Sequence, residues 1–224
     1  MITILLLAGA LGCTPPSDAS VVGLWESEAT SRGGIGHSIE LKSNGELLSS
    51  TIVMVDQVYR VADGKLFTAE APKALNAVTN GLTFKIAKDL LVQSNADGSE
   101  IRKERLGAQV GASGSLVGAW RYQHYTGAVA FELYTADGRF LFRLPMTSDE
   151  GCYDAANGSV TIDTPKGKNT MQYTLDRATL TLRNVGGKPH AYRRGDPWYP
   201  RDQLDYRPPK TGGRPGPRPS SEPK

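Results

Sequence analysis

The chain has 224 residues, of which 39% are hydrophobic and 22% charged, a composition that suits a folded protein with a buried core. Lys and Arg number 26 against 23 Asp and Glu, and the resulting net charge of +3 is too small to indicate nucleic acid as a partner. Two cysteines exclude a disulfide-rich scaffold, whereas 25 glycines and 9 tyrosines favour many short strands and tight turns.

The N-terminal region contains a short apolar run, ILLLAGAL at residues 4–11, followed by Gly12 and Cys13. Eight residues of helix span about 12 Å, far less than the roughly 30 Å of a bilayer core, so this run is not a transmembrane anchor. A short apolar segment followed by small residues is typical of a cleaved export signal. We therefore predict that residues 1–12 are a signal peptide.

The four residues Ala10-Leu11-Gly12-Cys13 resemble the lipobox of bacterial lipoproteins. The resemblance implies cleavage after Gly12, diacylglycerol on the Cys13 sulfur and a membrane anchor. Thr14 then favours the outer membrane, facing the periplasm, and residues 13–20 are expected to be a polar tether. The alternative is a signal peptide without lipid attachment. If Cys13 is acylated, Cys152 is the only remaining thiol, and we expect it to be a buried small hydrophobic residue.

The body of the chain contains one pattern twice. Val22-Gly23-Leu24-Trp25 matches Val117-Gly118-Ala119-Trp120, so that the tryptophans lie 95 residues apart, and the match continues to Arg105 and Arg194. Glycine, alanine and serine dominate the segment between the copies, which is typical of a flexible linker. The predicted divisions are a first domain at residues 21–106, a linker at 107–115 and a second domain at 116–195.

Within each copy, apolar and polar residues alternate with a period of two, which indicates strands. In chain order, the first copy has predicted strands at 38–42, 58–61 and 65–68, with a short helix at 72–78. The second has them at 129–134, 140–144, 160–162, 171–175, 179–183 and 190–193. Hairpin turns are predicted where Asn or Asp precedes Gly, the strongest short hairpin signal; these are Asn44-Gly45, Asp63-Gly64, Asp137-Gly138 and Asn157-Gly158.

Together with the opening Gly-x-Trp segment and other, less regular segments, each copy has seven or eight predicted strands. This number indicates an all-β fold of two tandem up-and-down antiparallel meanders. A meander has two unpaired edges, and closure into a small barrel removes both. A barrel of this size either encloses a small ligand or is filled by its own side chains.

The opening Gly-x-Trp and the arginine on the last strand of each copy resemble lipocalin-like domains. The resemblance implies that the tryptophan closes one end of the barrel and that the arginine packs across its ring. It places Trp25 with Arg105 and Trp120 with Arg194, as structural residues. It also implies that the protein binds a small apolar ligand.

No residue pattern indicates catalysis, a cofactor or a metal. His37, His124 and His190 lack the spacing of metal ligands, and the carboxylates near Cys152 lack that of a calcium loop. We therefore predict no catalytic residues, no metal site and no cofactor. The candidates for lining a ligand site are aromatic, with core packing as the alternative; they are Trp25, Tyr59, Phe67, Trp120, Tyr122, Tyr134 and Tyr153.

Residues 196–224 are rich in proline and basic residues and are predicted to be a disordered tail. Such a tail is either simply solvated or attracted to an anionic envelope component. The sequence therefore predicts a non-enzymatic, membrane-anchored lipoprotein of the bacterial envelope that binds a small apolar ligand or an envelope component. The alternative is a structural or interaction lipoprotein with solid barrels that engages another envelope protein or the cell wall. An open apolar interior would favour the first, and a filled interior the second.

Overall fold

The structure is a computed structural model that describes residues 12–95, 97–107 and 114–200. Most of the predicted signal peptide, linker and tail therefore lies outside the described residues. A 3-10 helix spans Ala19–Val21, and α1 spans Pro72–Leu75, which confirms the short helix predicted at 72–78.

The described residues contain fourteen strands, seven from each copy of the repeat. Those of the first copy are β1 (Gly23–Ser27), β2 (Ile35–Leu41), β3 (Glu46–Ala62), β4 (Lys65–Ala69), β5 (Leu82–Ala87), β6 (Leu90–Ser94) and β7 (Glu100–Arg105). Those of the second are β8 (Gly118–Gln123), β9 (Val129–Tyr134), β10 (Arg139–Ala156), β11 (Ser159–Thr164), β12 (Gly167–Asp176), β13 (Thr179–Arg183) and β14 (Pro189–Arg194).

The strands form one antiparallel sheet in which each pairs with its neighbours in the chain. In addition, β1 pairs with β14, and β3 pairs with β10. The prediction of an all-β antiparallel fold is therefore confirmed.

Two of the predicted hairpin turns show why Asx-Gly is such a strong signal. Asp63 and Gly64 have φ of 51° and 68°, and Asn157 and Gly158 have φ of 51° and 74°. Both central residues of each turn thus have positive φ, as a type I′ turn requires, and Asn, Asp and Gly tolerate this conformation best.

The chain divides into two compact units that do not coincide with the predicted domains. Unit 1 comprises Met1–Ile52 and Met146–Pro197, and unit 2 comprises Val53–Pro145 and Trp198–Lys224. The division at residues 21–106 and 116–195 is therefore not the one that the fold adopts. The reason is that β3 and β10 continue without a break for 17 and 18 residues, and each crosses the division.

In unit 1, β1 pairs with β2 on one side and with β14 on the other, and β11 to β14 follow one another as hairpins. The unit also holds the first part of β3 and the second part of β10, where the hydroxyls of Ser50 and Ser148 lie 2.7 Å apart. Its buried core is apolar and consists of Val21, Trp25, Ile39, Leu41, Leu47, Tyr153, Ala155, Val160, Leu180, Leu182 and Tyr192.

Unit 2 holds the second part of β3, the strands β4 to β9 and the first part of β10. The backbone N–H of Tyr59 donates to the carbonyl of Gly138 at 2.8 Å, so β3 and β10 are also joined here. One buried cluster consists of Leu66, Leu91, Leu116, Trp120 and Tyr134, and α1 supplies Leu75 to a second cluster with Phe67 and Ala69.

Candidate functional site

In unit 1, Trp25 on β1 is fully buried and lies beneath the side chain of Arg194 on β14. The guanidinium carbon is 4.4 Å from the ring centroid, which is cation–π geometry. The indole N–H donates to the carbonyl of Val21 at 2.7 Å, and Arg194 donates to the carbonyl of Val22 at 3.1 Å. One arginine therefore holds both the ring and the chain that precedes it.

Unit 2 repeats this arrangement with Trp120 on β8 and Arg105 on β7. The guanidinium carbon of Arg105 is 4.2 Å from the indole centroid. Trp120 donates to the carbonyl of Leu116 at 2.9 Å, and Arg105 donates to that of Val117 at 3.0 Å. Each tryptophan thus bonds the carbonyl four residues before it.

The predicted residues are therefore brought together, but the partners are exchanged. Trp25 pairs with Arg194, not Arg105, and Trp120 pairs with Arg105, not Arg194. The predicted pairing assumed that each copy folds on itself. Because β3 and β10 cross the division, the first strand of each copy pairs with the last strand of the other.

The glycine of the Gly-x-Trp pattern also has a local explanation. Gly23 has φ of 141°, outside the range that other residues readily adopt. A Cβ placed on Gly23 would come within 2.5 Å of Nη1 of Arg194. In the Gly-x-Trp pattern, the tryptophan therefore supplies the ring that packs in the core. The glycine, which has no Cβ, leaves room for the arginine guanidinium to lie against the backbone.

Cys13 forms a disulfide with Cys152 on β10, with a Cα–Cα distance of 5.4 Å, which is normal for such a bond. The expectation that Cys152 is a lone, buried thiol is therefore wrong. The expectation depended on Cys13 being acylated, and a sulfur in a disulfide cannot also carry diacylglycerol.

The predicted tether at residues 13–20 ends in a segment that packs onto unit 1. The N–H of Asp18 donates to the carbonyl of Ala155 at 2.8 Å. The carboxylate of Asp18 accepts from the N–H of Ser20 at 2.9 Å and from the hydroxyl of Tyr173, and these bonds lower its pKa. Val21 is then buried in the core. From Asp18 onward, the chain is part of the folded unit.

A buried polar network in unit 2 is the feature that sequence patterns did not reveal. Lys103 on β7 is 2% exposed, and its ammonium lies 2.5 Å from Oε2 of Glu132 on β9. The Tyr134 hydroxyl donates to the same oxygen at 2.7 Å, and Gln93 donates to that hydroxyl at 3.2 Å. The ammonium is also 4.8 Å from the ring centroid of Tyr122.

The electrostatics of this network follow from its burial. Burial lowers the pKa of the Lys103 ammonium, and the adjacent Glu132 carboxylate opposes that shift. Burial raises the pKa of the hydroxyls of Tyr122 and Tyr134, and the negative charge of Glu132 adds to the rise. Both phenols therefore stay protonated and can donate hydrogen bonds to the carboxylate.

Unit 1 has uncharged residues at the positions where unit 2 has this network. Trp25 lies opposite Ile39, whereas Trp120 lies opposite Glu132. The same strand registers match other members of the network to unit 1 positions. The equivalents are Tyr192 for Lys103, Leu41 for Tyr134, Leu182 for Gln93 and Ser27 for Tyr122. Because unit 1 has the same strand pairing with these residues, the network is not a requirement of the strand arrangement.

Aromatic residues connect the network to the surface. Beyond Tyr122, the ring of His124 lies 6.4 Å from those of Tyr122 and Phe142 and 4.1 Å from that of Tyr125. Tyr125 is 82% exposed. Burial lowers the pKa of His124, which favours its neutral form. At this end of the network, partly exposed Tyr122 and the exposed Tyr125 lie nearer to solvent than Lys103 does.

The other aromatic candidates pack in cores rather than around one ligand site. Trp25 and Tyr153 belong to the core of unit 1, Trp120, Tyr134 and Tyr59 to that of unit 2, and Phe67 to the cluster beneath α1. His37 and His190 lie on exposed strand positions. Within the described ranges, no group of three or more His, Cys, Asp or Glu residues is placed to hold a metal ion.

The interior of unit 1 is filled. Seven apolar side chains of this unit meet around a gap that has no room for a water molecule. These side chains are Val21, Ile39, Leu41, Val160, Ile162, Leu180 and Leu182.

The chain matches no protein-family model, no curated protein and no solved structure. Across the residues described by the structure, no helix has the length and apolar character needed to cross a membrane.

Proposed function

We propose that this protein is a non-enzymatic component of the bacterial cell envelope, with two barrel units that act as structural or interaction modules, the first of them solid. The filled interior of unit 1 carries the proposal, because a carrier of apolar ligands needs space that these side chains occupy. Carriage of a small apolar ligand in unit 1 would require the side chains around Leu180 and Leu182 to move apart. The partner is another envelope protein or a cell-wall component.

The disulfide supports a location outside the cytoplasm. Disulfides persist in oxidising compartments such as the bacterial periplasm and are rare where thiols are kept reduced. The Cys13–Cys152 bond and the signal-like apolar run at residues 4–11 therefore support the same location independently.

A lipid anchor on Cys13 remains the second proposal, supported by the lipobox resemblance. The anchor and the disulfide are alternative states of one sulfur atom. Acylation would leave Cys152 as a free thiol, so intact mass and thiol titration of the protein from its membrane fraction distinguish the two forms. If the protein is lipidated, Cys13→Ser abolishes acyl labelling and releases the protein from the membrane.

Native mass spectrometry of the purified folded protein tests the solid-barrel proposal. We expect the mass of the polypeptide alone, with no lipid retained after gentle desolvation. Leu180→Ala serves as the matched control, because it opens space in unit 1 and should let the unit take up an apolar probe. A co-purified apolar molecule that is bound stoichiometrically to the wild-type chain, and displaced by bulky substitutions in unit 1, would overturn the proposal.

A further inference from the structure

We propose that the interior of unit 2 is a binding site for a primary alkylammonium group and that the ammonium of Lys103 is its built-in occupant. The inference concerns unit 2 alone and does not depend on the filled interior of unit 1. It assigns to the buried network a ligand class rather than a purely structural role.

The groups around the Lys103 ammonium are those that recognise organic cations. A carboxylate oxygen of Glu132 lies at 2.5 Å, and the face of Tyr122 lies at 4.8 Å from the nitrogen. A carboxylate supplies the opposite charge, and an aromatic face attracts cations through its quadrupole. The Tyr134 hydroxyl, itself held by Gln93, fixes the orientation of the carboxylate.

The network is not explained by stability. Removing two charges from water costs more free energy than burying apolar residues of similar volume, so a buried ion pair is weak evidence for stabilisation. Unit 1 shows an uncharged alternative, with Ile39 in place of Glu132 and Tyr192 in place of Lys103. Unit 2 therefore has an ion pair at positions where the equivalent strands of unit 1 have uncharged residues.

The aromatic end is the side of the network that lies nearer to solvent, because Tyr122 is partly exposed. Trp120 and Arg105 close the interior beside Leu116 and Val117. On the other side, Tyr122 is followed by His124 and the exposed Tyr125. A small cation would approach over the rings of Tyr125 and Tyr122, because the faces of tyrosine rings attract cations.

The test removes the ammonium group from the site by mutation and adds a small molecule that carries the same group. Lys103→Ala removes a propylammonium group, so n-propylammonium is the probe and uncharged n-propanol is the matched control. We expect a saturable rise in the melting temperature of Lys103→Ala with n-propylammonium, half complete on the order of millimolar concentration for so small a ligand. Lys103→Met, which fills the space without charge, should show no such rise, and Glu132→Gln added to Lys103→Ala should remove it.

Equal effects of n-propanol and n-propylammonium, or no saturable effect on folded Lys103→Ala, would overturn the proposal. If Lys103→Ala does not fold, NMR of the wild-type chain decides. The ε-methylene protons of Lys103 should be shifted upfield by the Tyr122 ring, and Tyr122→Leu should abolish that shift. Signals at their ordinary position in the wild-type protein contradict an occupied aromatic site.

Discussion

The two buried indoles are the residues on which the core of each unit depends most. Trp25 and Trp120 are both 0% exposed, and each bonds a backbone carbonyl as well as packing against apolar neighbours. We expect Trp25→Ala and Trp120→Ala each to lower the free energy of unfolding by about 3–5 kcal/mol. Urea denaturation measures this loss. Trp198→Ala is the control, because Trp198 is only partly buried and should cost much less. Near-wild-type stability of either core variant would contradict the packing role.

Tyr153 provides a pH-dependent prediction at the same scale. Burial raises the pKa of its hydroxyl from 10.0 to about 12, and the hydroxyl donates to the carbonyl of Lys42 at 2.8 Å. Between these values the folded chain binds more protons than the unfolded chain. The contribution of Tyr153 to the free energy of unfolding is therefore fully present below about pH 10 and is lost as pH rises toward 12. Denaturant unfolding between pH 10 and pH 12 should show a smaller loss of unfolding free energy in Tyr153→Phe than in the wild type. Tyr125→Phe is the control, because this residue is exposed, and it should leave the dependence of unfolding free energy on pH unchanged. An unchanged slope in Tyr153→Phe would exclude this residue as its source.

At the level of elements, the decisive feature is the length of β3 and β10. Strands of 17 and 18 residues are far longer than the mode of about five or six. Because β3 and β10 cross from one unit to the other, each unit contains strands from both copies of the repeat. As a result β1 pairs with β14, and β7 pairs with β8. The exchange can be tested through the cation–π pairs that it creates.

Double-mutant cycles with Trp→Leu and Arg→Met measure these pairs. The side chain of Arg105 is only 5% exposed, so its coupling to Trp120 should approach about 2 kcal/mol. The more exposed Arg194 should couple to Trp25 by about 0.5–1 kcal/mol. The cross pairs, Trp25 with Arg105 and Trp120 with Arg194, should show no coupling. Significant coupling in a cross pair would mean that each copy folds on itself after all.

The sequence was sufficient for whatever depends on neighbouring residues. Alternation and Asx-Gly turns predicted the strands after Asp137-Gly138 and Asn157-Gly158, because turn chemistry is local. The sequence was insufficient where two alternative strand pairings are compatible with the same local pattern of residues. Arg105 and Arg194 lie in similar sequence patterns, and neither pattern predicts which tryptophan the arginine contacts. The Lys103–Glu132 pair was missed for a related reason, since 29 residues separate two ordinary charged residues that only the strand register brings together.

For the whole molecule, the disulfide is the strongest covalent constraint. Cys13 and Cys152 are separated by 139 residues in the sequence, and closing a long loop restricts the unfolded chain substantially. We expect reduction, or Cys152→Ser, to lower the free energy of unfolding by about 2–5 kcal/mol. Denaturation with and without reductant measures this, and the double variant Cys13→Ser with Cys152→Ser should behave like the single one. Two titratable thiols in the native oxidised protein would show that the bond does not form.

The interleaving of the chain also governs the order in which the protein can be built. The ribosome delivers residues 1–52 first, yet the rest of unit 1 begins only at Met146. Residues 53–145 of unit 2 are complete before any of that second segment appears. The early strands β1 and β2 therefore wait with unpaired edges, which are prone to aggregate, while unit 2 can already collapse. We expect unit 1 to stay open to aggregation for longer than either of two successive domains would, whether the chain emerges from the ribosome or from a translocation pore.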